Sequence, residues 1–434
     1  MKNEQTRQLV QAAVFFDGTG NNKTNSTNDP FTYGNLTNIS NLFDACTITD
    51  RVYIEGVGTR DNMPDSIWAK ATGSNKPTET GFSYGDKLQK GVDFMNDFCD
   101  AHPNDDIELF VFGFSRGATL ARNFVKLALV VSNIRIKFLG IYDTVVSLAF
   151  SKPKIHFTDQ EMDRMDQILH LTAINETRKY FPLTTLLVNN GSSALVNIEN
   201  TYTAKVKEVF VPGAHSDLGG GYLFDAENLY LNKIKKSVSA LTNDLNSAKN
   251  TVKDHFANDQ HLVWSDLLGD NIDFEGTTSS AYLVTNRDSV NIDIIRVYFE
   301  VMAAYTNLFE NNIIFQFDAN NYTAPLNKLR DDLIQYLHTN TPVKGPNYDY
   351  AAYATYTHIS ANYGKIKSSS SVNQMLNTFD PDLLKEESEK AKAEHPDVDF
   401  TSITLAAIED TLGIDLIDVN GPNNTKWQRK EIFG

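Results

Sequence analysis

The sequence predicts an α/β fold built on a doubly wound, mainly parallel sheet. Apolar runs of strand length alternate with amphipathic stretches of helical spacing, and glycine-containing or polar turns join them. Residues 107–112 form one such run, and Leu120 and Phe124 begin the helical face that follows it. The turn between them carries Ser115. Functional side chains gather at the carboxyl ends of strands in such a sheet, so this turn is the first candidate site.

The composition indicates a globular protein and excludes one class of partner. The 434 residues are 41% hydrophobic, enough for one large α/β domain with additions or for two domains. With 39 basic and 55 acidic residues, the formal charge of −16 repels nucleic acid and does not attract anionic lipid head groups. Cys46 and Cys99 are too few for a disulfide framework and lack metal-ligand spacing, although a single bridge stays possible. We expect neither a cofactor nor a metal.

The N-terminal residues do not form a conventional export signal. They include Glu4 and lack an apolar segment before the first strand, and no run of 18 apolar residues occurs anywhere in the chain. The sequence therefore predicts a protein that is made in soluble form without a conventional export signal.

The first predicted strand, residues 9–16, ends in a loop that contains Asp17, Gly18 and Thr19. N–H groups in a loop of glycines and short polar residues can point at one spot. Three interpretations stay open: a plain Asx turn, one half of an oxyanion hole, or the aspartate nucleophile of a phosphatase. The last resembles a phosphatase motif that requires a second aspartate two residues earlier, and this chain has Phe15 there.

The elements after the first strand continue the alternation. Residues 51–55 form a short strand, and the polar run over residues 61–80 is predicted to be a loop over the surface or over the mouth of the site. Further segments follow, with strands at residues 135–142 and 206–211 and helices at residues 88–99, 170–181 and 292–309.

Ser115 has the sequence context of a nucleophile elbow. Gly113 and Gly117 lie two residues before and after it, where a Cβ would collide with the adjoining backbone of a tight strand-to-helix turn. The turn would place the serine beside the free N–H groups of a helix N-terminus, which stabilise an oxyanion. The N–H of Arg116 is the predicted donor. The alternative is an ordinary turn with a surface serine.

An acid and a histidine follow Ser115 at the ends of later strands. Asp143 directly follows the strand at 135–142, and His215 lies in a glycine-rich loop after the strand at 206–211, with Asp217 as a supporting acid. The order serine, acid, histidine is typical of α/β-hydrolases. The imidazole would take the serine proton, and the carboxylate would orient and stabilise the imidazolium.

Each of these side chains also has a simpler interpretation. Asp143 alone could cap a turn, and His215 alone could be bonded within its loop. His358 is a rival for the role of base. The complete set favours the triad over these alternatives.

Four sequence blocks together resemble a known family. The blocks are residues 15–22, 113–118, 140–145 and 212–222, and residues 175–181 also fit. They are similar to a large hydrolase-like family of uncharacterised α/β-hydrolase domains with a GFSRGA elbow, which includes the family-one lipase effectors of bacterial type VI secretion. The resemblance covers scattered blocks over residues 10–365.

The resemblance implies a phospholipase with the triad Ser115, Asp143 and His215. Its expected substrate is membrane phospholipid. A cognate immunity protein and a spike component of the secretion system are the expected partners, with delivery into a target cell and no role for nucleic acid.

The chain departs from the family pattern at several places. Tyr142 stands where the family usually has Trp, and the segment 224–290 is longer than the corresponding segment in the family. Apolar residues from Leu231 to Val252 recur at helical spacing, so this insertion is predicted to be a surface helix, a lid or a partner-binding arm. Residues 1–365 are the predicted catalytic domain, and residues 366–434 an acidic C-terminal segment.

Two other functions remain as hypotheses. One is a catalytically silent secretion cargo or binding scaffold that keeps the fold without assembling the site. The other is a metal-dependent phosphohydrolase that uses Asp17.

Overall fold

We describe the protein from a computed structural model. It describes residues 7–148, 153–186, 205–232, 235–251, 272–308, 313–339, 345–361 and 431–432. The strands are β1 (Leu9–Phe16), β2 (Arg51–Ile54), β3 (Asp106–Phe114), β4 (Ile134–Tyr142), β5 (Met165–Ala173), β6 (Leu183–Thr184), β7 (Val206–Val211), β8 (Glu227–Tyr230), β9 (Ile272–Thr277), β10 (Ser280–Arg287) and β11 (Glu431–Ile432).

The described residues also form helices. They are α1 (Lys23–Asn28), α2 (Pro30–Tyr33), α3 (Asn38–Ala45), α4 (Ile67–Thr72), α5 (Tyr84–Ala101), α6 (Arg116–Ala128), α7 (Asp159–Met162), α8 (His215–Gly219), α9 (Val238–Thr251), α10 (Asp293–Asn307) and α11 (Ala324–Leu337), with a 3₁₀ helix at Tyr350–Tyr356.

The main sheet has six strands in the order β2-β1-β3-β4-β5-β7, and every neighbouring pair is parallel. The prediction of a doubly wound, mainly parallel α/β fold is confirmed. The strand order reverses at β1, because β2 pairs on one side of it and β3 on the other. Ligands of open α/β sheets bind outside the carboxyl ends of the strands at such a switch point. The loop after β1 and the turn after β3 meet there.

The sheet is buried on both faces, which explains its nearly continuous apolar strands. Phe15 and Phe112 belong to the hydrophobic cluster that includes α3, α10 and α11. Val14 and Val111, their neighbours in sequence, belong to the cluster on the opposite face with α5 and α6. Successive side chains of a strand point to opposite faces, so each strand contributes to both clusters.

Three local predictions need correction. The predicted helix at 170–181 is instead partly β5: Leu171 and Ala173 share one buried face of the sheet, and the buried polar side chains of His170 and Thr172 alternate with them. The predicted loop at 61–80 contains the short helix α4. The 224–290 insertion is only partly helical: its described part contains α9 and also an antiparallel sheet in the order β8-β10-β9.

The structure also bears on the predicted helix at 292–309 and on a small part of the predicted C-terminal segment. The helix predicted at 292–309 is confirmed as α10, whose side chains are mostly buried as a core helix requires. Of the predicted acidic segment at 366–434, only β11 lies within the described residues, where it pairs with β6. Among the helices of the described ranges, none has the length and hydropathy needed to cross a lipid bilayer.

Candidate active site

Ser115 lies in a strained turn between β3 and α6. Its φ of 60° and ψ of −125° are rare for a residue with a side chain. The two glycines around it are required sterically, because a Cβ on Gly113 would lie 2.5 Å from the carbonyl oxygen of Gly117. A Cβ on Gly117 would lie 2.3 Å from the carbonyl oxygen of Phe16. The geometry is therefore that of the predicted nucleophile elbow.

Asp143 lies beside this elbow because the ends of β3 and β4 are joined there. The backbone N–H of Ser115 donates to the carbonyl of Tyr142 over 3.0 Å, and the N–H of Val145 donates to the carbonyl of Ser115 over 3.3 Å. Asp143 itself has a positive φ of 46° and is fully buried. Two consecutive strand ends thus place a serine and a carboxylate in strained conformations at one edge of the sheet.

His215 and Asp143 are brought together across 72 residues of sequence. Nδ1 of His215 lies 2.6 Å from Oδ2 of Asp143, while Oδ1 of Asp143 accepts the N–H of Ala173 over 2.8 Å. Both side chains are almost fully buried. The carboxylate therefore fixes the tautomer with the proton on Nδ1 and leaves Nε2 as a proton acceptor.

Nε2 of His215 and the hydroxyl of Ser115 are two polar atoms of the candidate site that make no hydrogen bond within the described residues. The ring of His215 lies 4.6 Å from the ring of Phe114, the neighbour of Ser115. Contacts between catalytic groups often tighten only when substrate binds. Burial lowers the pKa of His215 below its usual value, against the opposing effect of Asp143. The neutral form of the imidazole is therefore favoured, and a general base must be neutral.

A short segment after β5 holds the loop that carries His215. Asn175 and Gly213 form two hydrogen bonds. The N–H of Asn175 donates to the carbonyl of Gly213 over 2.9 Å, and the N–H of Gly213 donates to Oδ1 of Asn175 over 2.8 Å. The buried carboxylate of Glu176 accepts the backbone N–H of His215 over 3.3 Å and binds the guanidinium of Arg178. Sequence reasoning gave these residues no role, although they lie in a block that resembles the family.

A second buried pair supports the turn that carries Asp143. Nε2 of His170 accepts the N–H of Thr144 over 3.1 Å, and Nδ1 of His170 lies 2.7 Å from Glu208. Both side chains come from strand interiors, β5 and β7, and both are fully buried. Since Thr144 follows Asp143 directly, this pair fixes the backbone at the strained acid. The sequence analysis missed it because the predicted helix hid the register of β5.

Asp17 organises the loop after β1 and does not face the site as a free carboxylate. It accepts the hydroxyls of Tyr53 over 2.6 Å and Thr37 over 2.7 Å, and the N–H of Gly18 over 2.7 Å. Burial raises its pKa to about 6, although all three hydrogen bonds lower it. Its two oxygens are thus engaged, and the side chain two residues earlier, Phe15, is part of the core.

The backbone N–H groups predicted to form the oxyanion hole differ in whether they already donate a hydrogen bond within the protein. The N–H of Gly18 is occupied by Asp17, so in this arrangement it cannot bind an oxyanion. The N–H groups of Arg116 and Thr19 donate no hydrogen bond within the described residues. The hydroxyl of Thr19 is also buried without a partner. The side chain of Arg116 binds the carbonyls of Lys70 and Ser147, and burial lowers its pKa to about 10.

The rival histidine is paired with a different acid. Nδ1 of His358 lies 2.6 Å from Oδ1 of Asp217, whose Oδ2 accepts the N–H of Ala214 over 2.8 Å. His358 therefore does not share the carboxylate that orients His215. Asp217, predicted to support the site, links the residue before His215 to His358.

No group of three or more His, Cys, Asp or Glu side chains in the described ranges has a geometry that could hold a metal ion.

Comparison with known proteins gives one family. The family described as "T6SS, Phospholipase effector Tle1-like, catalytic domain" matches residues 10–132 and 128–242, together more than half of the chain. No curated protein gives a significant match.

The chain also resembles solved structures. The Tle1 effector bound to the VgrG spike from the type 6 secretion system is 18% identical, with a TM-score of 0.55, over 82% of this chain and 85% of that one. It shows the fold. An uncharacterised protein from Pseudomonas aeruginosa is 15% identical over 99% of this chain and 65% of that one, and its TM-score of 0.37 is too low to support an inference.

Proposed function

Because this chain belongs to the Tle1-like family of type VI secretion phospholipase effectors, we propose that Ser115, Asp143 and His215 hydrolyse acyl esters of membrane glycerophospholipids. The protein is a carboxylic ester hydrolase of this family. The observation that supports the triad best is the 2.6 Å contact between Nδ1 of His215 and Oδ2 of Asp143, beside the strained elbow of Ser115. A carboxylate that fixes this tautomer is what a histidine base requires.

In the proposed reaction, Nε2 of His215 takes the proton of the Ser115 hydroxyl as Oγ attacks the ester carbonyl carbon. Asp143 stabilises the imidazolium that forms. The bond to the leaving alcohol breaks as His215 returns the proton to it, and a lysophospholipid departs. Water then attacks the carbonyl carbon of the acyl-enzyme as it gives a proton to His215, and the bond from that carbon to Oγ of Ser115 breaks. The returned proton restores Ser115, and the fatty acid is released.

The negative charge of each tetrahedral intermediate requires hydrogen-bond donors near Ser115. We assign this role to the N–H of Arg116, at the start of α6, and to the N–H of Thr19 in the loop after β1. Both groups are without a partner in the described structure, and both lie at the switch point of the sheet. Preorganised donors of this kind contribute about 3 kcal/mol each to transition-state stabilisation.

We infer the secretion route and the partner proteins of this chain from its family. The solved Tle1 effector is bound to a VgrG spike, and we propose that a spike component carries this chain out of the producing bacterium in the same way. A phospholipase that reaches the producer's own membrane would damage it, so a cognate immunity protein is also part of the proposal.

Product analysis tests the chemistry. With a defined diacyl glycerophospholipid, we expect one fatty acid to be released per lysophospholipid formed, and its chain identifies the position cleaved. Release of phosphate or of a phosphorylated head group, abolished by a chelator, would instead support the phosphohydrolase hypothesis. A folded protein that releases no product would support the scaffold hypothesis.

A further inference from the structure

A cleft beside the proposed active site has a chemistry that the triad does not use. Its volume is about 280 Å³. The residues that line it are Phe31, Gly34, Gly221, Tyr222, Leu223, Asp225, Ala226, Glu227 and His358. Two of them are carboxylates and three are aromatic or imidazole rings, whereas no lysine or arginine is among these lining residues. An anion such as phosphate would lack a cationic partner there.

A histidine held by a carboxylate contributes to the wall of this cleft. His358 is only 7% exposed, and its Nδ1 is bound to Asp217 at 2.6 Å. In the tautomer with its proton on Nδ1, the Nδ1–H group donates a hydrogen bond to Asp217, and Nε2 keeps a lone pair. This atom makes no hydrogen bond within the described residues. It can therefore accept a hydrogen bond from a cationic N–H group in the cleft.

The charges around the cleft favour a cation. Glu227 is paired with Arg287 and also accepts the N–H of Ile359, which leaves its charge largely balanced. Asp225 is exposed and forms no ion pair with a lysine or an arginine within the described residues. Asp217 adds a second negative charge behind His358. The net charge around the cleft is therefore negative.

The aromatic rings suit the same kind of ligand. Tyr222 stacks on His358 with ring centroids 4.0 Å apart, and Phe31 lies at the rim with 88% of its surface exposed. Aromatic faces attract ammonium groups through their quadrupole. Phe224, between two cleft residues, is 61% exposed. An exposed phenylalanine at the rim can insert into the surface of a lipid aggregate.

The cleft is close enough to the elbow to share one substrate with it. A Cβ on Gly219 would lie 2.1 Å from the ring of Phe114, which precedes Ser115, and Gly221 lines the cleft two residues later. Two residues span at most about 7 Å. The same glycine-rich segment thus borders both places, and a head group is separated from its acyl esters by only a few bonds.

We propose that this cleft binds the ammonium group of a zwitterionic phospholipid head group, through Asp225, Nε2 of His358 and the ring of Tyr222. This inference rests on the proposed phospholipase function and adds a head-group preference to it. Ethanolamine and choline lipids share the ammonium group. A hydrogen bond to Nε2 favours ethanolamine, because the choline nitrogen has no N–H.

The test compares three lipids with identical acyl chains in mixed micelles of a nonionic detergent. We expect kcat/KM to be highest for phosphatidylethanolamine, lower for phosphatidylcholine and lowest for phosphatidylglycerol. In Asp225→Asn the ratio between the ethanolamine and glycerol lipids should fall about 3-fold to 5-fold, the size expected for an exposed charge pair. The control is Asp288→Asn, which removes an exposed carboxylate outside the cleft and should keep the wild-type ratio.

The outcomes separate this inference from the proposed function. Equal kcat/KM for all three lipids, or an equal change of ratio in Asp225→Asn and Asp288→Asn, would overturn the head-group site while leaving the phospholipase intact. Wild-type protein inactive on every lipid and on a short-chain ester would overturn the function itself. In that case, binding of wild-type protein to the same micelles still tests the cleft: a preference for the ethanolamine lipid lost in Asp225→Asn supports it, and no preference refutes it.

Discussion

Ser115→Ala is expected to lower hydrolysis of short-chain esters and of phospholipid by about three to six orders of magnitude. The substitution removes the only atom that forms the acyl-enzyme in the proposed mechanism. The hydroxyl makes no hydrogen bond within the described residues, so its loss should leave stability almost unchanged. Initial rates with a chromogenic short-chain ester, followed by fatty-acid release from phospholipid, measure the effect.

Ser132→Ala is the matched control, since Ser132 is exposed in the turn between α6 and β4, away from the elbow. It should retain wild-type rates. Both variants should unfold at the wild-type temperature, which shows that the elbow variant is folded. Retention of full activity by folded Ser115→Ala would rule out a serine esterase that uses this residue.

His215→Ala should be nearly as inactive as Ser115→Ala, whereas His358→Ala should lose only about 10-fold to 100-fold on a short-chain ester. His215 is oriented by Asp143, next to the elbow, and His358 is oriented by Asp217. Loss of His358 removes one partner of Asp217, whose other oxygen still accepts the N–H of Ala214 and so supports the His215 loop. Each variant is compared with wild type by initial rates and by thermal unfolding.

The pH profile provides a second measurement on the same base. A histidine base works only when neutral, and burial lowers the pKa of His215. The acid limb of kcat/KM should therefore lie below pH 6.5. In the comparison of the two histidine variants, an inactive His358→Ala together with an active His215→Ala would show that His215 is not the base.

The fold could be predicted from local patterns because the sheet is buried on both faces. Uninterrupted apolar runs such as residues 107–112 identify strands of this kind, and the turn chemistry around Ser115 locates the carboxyl end of one of them. The same reasoning failed at His170, which was placed in a helix. Its strand contains polar side chains that are buried and paired across the sheet, and periodicity alone does not distinguish these from the polar face of a helix.

The candidate site was predictable as a set of residues but not as a set of contacts. Ser115, Asp143 and His215 each follow a strand, so topology alone brings them to one edge. The choice between two acids and two histidines depends on which pairs form. Asp217 lies only two residues from His215 yet binds His358, 141 residues away. Likewise, the occupied N–H of Gly18 follows from the rotamer of Asp17, which no sequence spacing indicates.

The central claim is that Ser115 is a nucleophile activated by His215, and covalent labelling tests it most directly. A fluorophosphonate probe is incubated with the wild-type protein, Ser115→Ala and His215→Ala, and the labelled peptide is identified by mass spectrometry. We predict one label on Ser115 in the wild type, none in Ser115→Ala, and labelling slowed by orders of magnitude in His215→Ala. A folded wild-type protein that stays unlabelled, or a label on another serine, would contradict the account.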